Sequence, residues 1–337
     1  MPRKQKDVRP LSITGPLFES VLYHDVKDPC PVYDGRQWHI FGSGGSVRTE
    51  RWHILHATSP EANGPWTEGE SELDGLSGEH VAAPGVIFES ETGLFHMFIQ
   101  TDFMALGSSV EYLLSSDGGN TFHHIMQAIG PVWESGEAGL YDPHPAIVGG
   151  KKYLVYSGTP QIRRMEGRFA SEPNIYLAES ETNSWAGPWR RRGKILDHTD
   201  IESHHNQLDH PEYEWGIEGA QIVQMPQGKI LLNATCFLSE GHFGTRQRVF
   251  FAIADTVTGP YRTLCPVIPT TTQSSETADV ISWRSGENGH AAAIIENETK
   301  KLLLFFQART DPLTLGPDSG PVRWRYGLAT FDTRDIP

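Results

Sequence analysis

The chain has 337 residues, with 34 glycines, 23 prolines, 38% hydrophobic and 10% aromatic residues, which suits many short strands and tight turns better than a helical bundle. Its formal net charge of −14 repels phosphate backbones and anionic lipid, and no Lys/Arg run overrides it, so neither nucleic acid nor membrane is expected as a partner. No segment reaches the roughly 18 apolar residues of a membrane span, and the basic start MPRKQKDVRPLSITG has no apolar stretch of signal length, so the expected location is the cytoplasm. Cys30, Cys236 and Cys265 lie far apart without CxxC spacing and are expected as inert thiols.

Along the chain the same unit recurs: a short polar or small-residue start, an apolar strand, a turn, an aromatic-rich strand, and a third strand followed by a turn. The first reads DPCPVYDGRQWHIFGSG, then RWHILHATS, and closes on NGPW at Asn63 to Trp66. The second reads AAPGVIFESETGLFHMFIQ, then VEYLLSSDGGNTF. The third reads YDPHPAIVGGKKYLVYSG, then NIYLAESETNSW, and closes on AGPW at Ala186 to Trp189. The fourth reads IEGAQIVQMPQGKILLNATCF, then VFFAIADTV, and closes on TGPY at Thr258 to Tyr261. The fifth reads NGHAAAIIENETKKLLLFFQA and ends in WRYGLATFD.

Alternation and β-branched or aromatic enrichment mark these runs as strands, and Asp34-Gly35, Gly149-Gly150 and Gln227-Gly228 as the turns between them. Radial repetition of four-stranded sheets is one way to remove exposed sheet edges. The expected fold is therefore all-β: one five-bladed β-propeller domain over 1–337, with blades near 25–68, 78–125, 138–192, 214–263 and 280–334. In the Gly-Pro-aromatic closures, glycine supplies the unusual φ, proline fixes the turn and the ring packs between neighbouring sheets.

In a propeller the start of every repeat converges on one central funnel. The positions concerned are Asp28-Pro29, Ala83-Pro84, Asp142-Pro143, Glu218-Gly219 and Gly289-His290. They supply three carboxylates, a histidine, and at Ala83 a small residue that leaves room for a ligand. Crowded carboxylates raise at least one pKa, so that one site holds both a protonated acid and an ionised base. Glycoside hydrolysis with inversion needs that pair, roughly 6.5–9.5 Å apart.

Taken together and in order, these five dipeptides resemble glycoside hydrolase family 43, over essentially the whole stretch from Asp28 to Asp332. The resemblance implies an inverting glycoside hydrolase with Asp28 as general base, Asp142 as the residue that orients the acid and tunes its pKa, and Glu218 as general acid. It further implies small pentose-type substrates, α-L-arabinofuranosides or β-D-xylosides, with galactosides next, and no cofactor for the chemistry. His290 would lie on the axis, ligating a calcium ion held mainly by waters or replacing that ion by hydrogen bonds. Two departures bear on substrate choice: Ala82 stands where the family commonly has an aromatic, and Glu218-Gly219-Ala220 where it has Glu-Gly-Pro.

The long segments Gln161 to Pro173 and Ile195 to Gly216 are expected to border the site. Trp215 is a candidate sugar platform. The His-rich run from His198 to Trp215 has no zinc spacing and reads as a hydrated loop. Arg163, with Arg164 and Arg168, keeps open a phosphorylase that would hold phosphate in place of water. A lectin-like propeller has no need of the carboxylate trio, and a protein-binding scaffold would carry patches on its blade rims instead.

Overall fold

The computed structural model describes residues 8–45, 52–76, 81–102, 107–160, 162–165, 168–171, 173–201, 216–239, 245–268, 282–284, 286–310 and 323–337. The first blade is formed by β2 (Asp25–Tyr33), β3 (Trp38–Gly45), β4 (Trp52–Ser59) and β5 (Thr67–Asp74), after a short β1 (Ser12–Thr14). The second is formed by β6 (Ala82–Glu89), β7 (Leu94–Gln100), β8 (Val110–Ser115) and β9 (Thr121–Ile129). The third contains β10 (Gly139–Val148), β11 (Lys151–Thr159), β14 (Asn174–Ser180) and β15 (Trp189–Leu196), and a separate hairpin, β12 (Ile162–Met165) with β13 (Arg168–Ser171), rises between β11 and β14. The fourth contains β16 (Ile217–Gln224), β17 (Ile230–Ser239), β18 (Thr245–Ala254) and β19 (Arg262–Pro266).

The fifth blade contains β20 (Glu287–Ile295), β21 (Lys301–Arg309) and β22 (Arg325–Asp332), and its outer strand is β1, from the other end of the chain. A strand so far from its partners in sequence carries no local signal, and the repeat alone did not place it. Within each blade successive strands pair antiparallel. One parallel pairing, β5 with β9 from Glu72 to Asp74, joins the outer edges of the first two blades.

The innermost strands β2, β6, β10, β16 and β20 touch in a closed ring, and the apolar core divides into five clusters, one between each pair of neighbouring blades. Phe41 and Ile54 face Phe95 and Met97 across the first interface, and Leu303 and Phe305 face Ile40 and Leu55 across the last. Fully burying a side chain of this size stabilises by roughly 1.5–3 kcal/mol, so closure of the ring rests on these faces. The closure turns add to them as expected: Trp66 meets Phe305 of the fifth blade edge to face, and Trp189 meets Phe98 of the second.

Candidate active site

Each innermost strand breaks register once, between Lys27 and Cys30, Ala82 and Gly85, Tyr141 and His144, Glu218 and Gln221, and Gly289 and Ala292. Such a bulge bends the strand and re-aims its side chains. At each break one residue takes a left-handed backbone: Asp28 (φ 55°), Ala83 (50°), Asp142 (47°), Gly219 (61°) and His290 (35°). The prolines that follow Asp28, Ala83 and Asp142 are tolerated in an inner strand because a bulge already interrupts the ladder.

A left-handed non-glycine residue costs of order 1–3 kcal/mol and persists where its surroundings hold it. Here each left-handed N–H donates to a buried polar side chain on the second strand of the preceding blade. Asp28 donates to Gln307 (2.8 Å), Ala83 to Ser43 (2.8 Å), Asp142 to Gln100 (2.7 Å), Gly219 to Ser157 (3.2 Å) and His290 to Thr235 (2.6 Å). This five-fold latch corrects the equivalence read from the repeat. Glu218 does not occupy the position of Asp28 and Asp142; Gly219 does, and Glu218 stands one residue before it. The close approach favours glycine there, because a Cβ would come to 3.0 Å from His290 Nδ1; the φ alone does not demand it, since Asp28, Ala83, Asp142 and His290 adopt the same conformation.

Asp28, Asp142, Glu218 and His290 nevertheless meet in one funnel, from four blades. His290 Nδ1 lies 2.9 Å from Asp28 Oδ1 and 4.0 Å from Asp142 Oδ1, and Nε2 lies 2.7 Å from Glu218 Oε1. All four side chains are only 8–17% exposed. Ser43 Oγ donates to Asp28 Oδ2 (2.6 Å), and the Gly219 N–H donates to Asp142 Oδ2 (3.1 Å).

The charges follow from these neighbours. Burial opposes ionisation of Asp28, but the adjacent His290, with Lys27 and Ser43, outweighs it and holds Asp28 at about 2. Burial lifts Asp142, against the attraction of His290 and with the repulsion of Glu218 and Asp28, to about 7. Burial works against a charged His290, yet Asp28, Glu218 and Asp142 push its pKa well above that of a free imidazole. At neutral pH an imidazolium thus lies between carboxyl groups, beside an ionised Asp28 and an Asp142 that keeps its proton far above the usual carboxylate range.

Asp142, Glu218 and His290 each offer a ligand atom within 4.8 Å of the others, a spacing that a hard cation with ligands at 2.3–2.6 Å accepts. Both ring nitrogens of His290 face carboxylates, so ligating an ion would require one of them to give up its proton.

Beneath the carboxyl groups a cavity of about 30 Å³ continues along the axis, lined by Cys30, Ala83, His144, Ala220 and Ala292 among others. It has room for a water or two. Ala83 lines this cavity together with Asp28, Asp142 and His290. Behind Trp52 lies a second cavity of about 420 Å³, between Glu70, Glu72, Leu73 and Val81, which contains none of the carboxyl groups of the funnel. Trp215 and the histidines His204, His205 and His210 lie outside the described residues, as does most of Ile195 to Gly216. The stretch from Gln161 to Pro173, read as a loop, contains the β12–β13 hairpin, in which Arg163 pairs with Ala170.

No protein-family model matches this chain, and no curated protein matches it. Solved structures do. The catalytic domain of a Coprinopsis cinerea GH62 α-L-arabinofuranosidase superposes with a TM-score of 0.63 over 97% of this chain and 98% of its own, at 16% identity. An α-L-arabinanase of Cellvibrio cellulosa, complexed with arabinohexaose, gives 0.61 over 93% and 96%, at 13% identity. A thermostable family 43 glycoside hydrolase gives 0.60 over 91% and 88%, at 16% identity. The chain has the propeller fold of the family 43 and family 62 glycoside hydrolases. The fold agrees with the resemblance read from the five dipeptides, and family 62 stands beside the family that they suggested. At these identities the likeness is one of fold.

Sequence reasoning passed over several residues at the funnel. Lys27 stands immediately before Asp28, and its ammonium lies 5.6 Å from the ring of Trp52 and 5.8 Å from that of Trp324. Ser43 and Thr235, which hold the bulges, sit inside strands where nothing local sets them apart. Only the position of Lys27, next to a chemically singled-out aspartate, offered a signal.

Proposed function

We propose that this protein is an inverting glycoside hydrolase acting on α-L-arabinofuranosides or β-D-xylosides, with Asp28 as general base and Glu218 as general acid. The observation that carries the reading is that His290 lies between Asp28 and Glu218, two carboxyl groups from different blades facing one funnel. The two contacts and the width of the imidazole cap the separation of the contacting oxygens at about 8 Å, compatible with a water between base and sugar. Asp28, ionised across the physiological range, draws a proton from that water as it attacks the anomeric carbon. Glu218 gives its proton to the departing oxygen. Asp142 holds a proton near pH 7 and, through the Gly219 N–H, fixes the backbone beside Glu218; its part is to orient the acid and adjust its proton affinity. A divalent cation, if bound, would be held through His290 and mainly through waters, leaving Glu218 free to carry its proton, and would supply the positive charge otherwise carried by the His290 proton. The neighbours named for arabinan and arabinofuranoside substrates support the choice of sugar.

The test is the dependence of the rate on the leaving group in two alanine variants. Glu218→Ala is expected to lose about 10²–10⁴-fold on sugar leaving groups and far less on an activated phenol, whereas Asp28→Ala loses similarly on both. Proton NMR of the first product formed is expected to show the inverted anomer. Equal leaving-group dependence in the two variants, or a retained anomer, overturns the assignment; turnover that requires phosphate selects the phosphorylase.

A further inference from the structure

Beside Asp28, where the first and fifth blades meet, two cations and two indoles lie together. Lys27 ends between the indoles of Trp52 and Trp324, 5.6 and 5.8 Å from their centroids. The Arg309 guanidinium lies 4.8 Å over Trp324, with its Nε on Glu287 Oε2. These residues come from β2 and β4 of the first blade and from β21 and the segment before β22 of the fifth, so the cluster spans the seam where the ring closes.

Indole faces hold a cation without neutralising it, and they displace the water that would hydrate it. Arg309 is balanced by Glu287. Among the described residues Lys27 has no carboxylate within 4 Å, so its three N–H donors are not committed to an ion pair. The ammonium belongs to the residue immediately before Asp28, on the innermost strand β2. A half-buried ammonium lying over two rings, with no carboxylate within 4 Å among the described residues, suits an oxyanion brought by the ligand.

Resting on the hydrolase reading, we propose that Lys27, framed by Trp52 and Trp324 and backed by Arg309, is a subsite for the carboxylate of a uronic acid carried by the substrate glycan. The enzyme would then prefer acidic oligosaccharides to neutral ones of the same backbone. The preference belongs to binding and leaves the roles of Asp28 and Glu218 untouched.

Isothermal titration calorimetry of the full chain tests this with two pairs of probes, glucuronic acid-substituted xylo-oligosaccharides and oligogalacturonides, each beside its carboxyl-reduced counterpart. The wild type is expected to bind the acidic member of at least one pair about tenfold more tightly at low salt, with the ratio shrinking in 1 M salt. Lys27→Met keeps the apolar stem between the indoles and is expected to bring the ratio close to one; Lys27→Arg is expected to retain it. Thermal melts of both variants confirm folding. Equal binding of the acidic and reduced members by the wild type, or an unchanged ratio in Lys27→Met, overturns the subsite alone. Failure to bind any of the four probes, together with no glycoside cleaved, overturns the hydrolase reading with it.

Discussion

His290 and His144 line the same axial cavity, and their surroundings give them opposite charge. His290 meets three carboxyl groups and is pushed well up. His144 meets the Cys30 thiol at 3.6 Å and the Pro145 carbonyl at 3.2 Å, and burial pushes it down to about 4. The buried His56, stacked on Phe41 at 4.5 Å, is likewise held at about 4 by burial and by the neighbouring His39. Residue type and burial are shared by the three. What separates the candidate catalytic histidine from the structural ones is the number of carboxylates within reach.

The largest expected effect sharpens that contrast. His290→Gln removes the cation between Asp28 and Glu218, and activity is expected to fall at least about 100-fold. His144→Gln should change kcat by much less, because its neighbours carry no charge for it to balance. Similar losses in the two variants would show that the axial position, and not the carboxylates, confers the role.

Stability against pH separates the environments next. Asp142 has a folded pKa of about 7, above its unfolded value of about 4. The folded state therefore binds the extra proton between these limits, and stability falls as pH rises from about 4 through about 7. Asp142→Asn removes that loss, so the variant is expected to melt several degrees above the wild type at pH 8, by differential scanning calorimetry, with the difference shrinking toward pH 4. A melting temperature below that of the wild type at pH 8 would mean that the Asp142 charge is well compensated.

For His144 and His56 the sign is reversed. Their folded pKa values of about 4 lie below the unfolded value of about 6.5, so the unfolded chain takes the proton first. Their contribution is complete above pH 6.5 and is lost as pH falls toward 4. His56→Phe, which extends the stack on Phe41, is expected to flatten the acid side of the curve by a few degrees. An unchanged acid slope would place the titration elsewhere.

The smallest effect concerns the latch. Thr235→Val keeps the shape of the side chain and leaves the buried His290 N–H without its acceptor, at a cost of about 1–3 kcal/mol. Chemical denaturation measures this, and a change within error would show that the bulge is held by the sheet itself.

The sequence by itself determined the repeat, the all-β class and the four ionisable residues of the funnel. These are local properties: strand alternation, turn dipeptides, and an Asp-Pro or Gly-His at a fixed place in each unit. Cross-blade partnerships were beyond it, because the groups concerned are brought together only when the ring closes. The outer strand of the fifth blade, Ser12–Thr14, lies more than 300 residues from the strand it pairs with. The latch acceptors Gln307, Ser43, Gln100, Ser157 and Thr235 each serve the next blade, and the Lys27 cluster joins the first blade to the fifth. Glu218 shows the boundary most plainly. Its presence at the funnel was legible from its dipeptide, but its one-residue offset from Asp28 was decided by the backbone, which places Gly219, and not Glu218, at the left-handed position packed against His290.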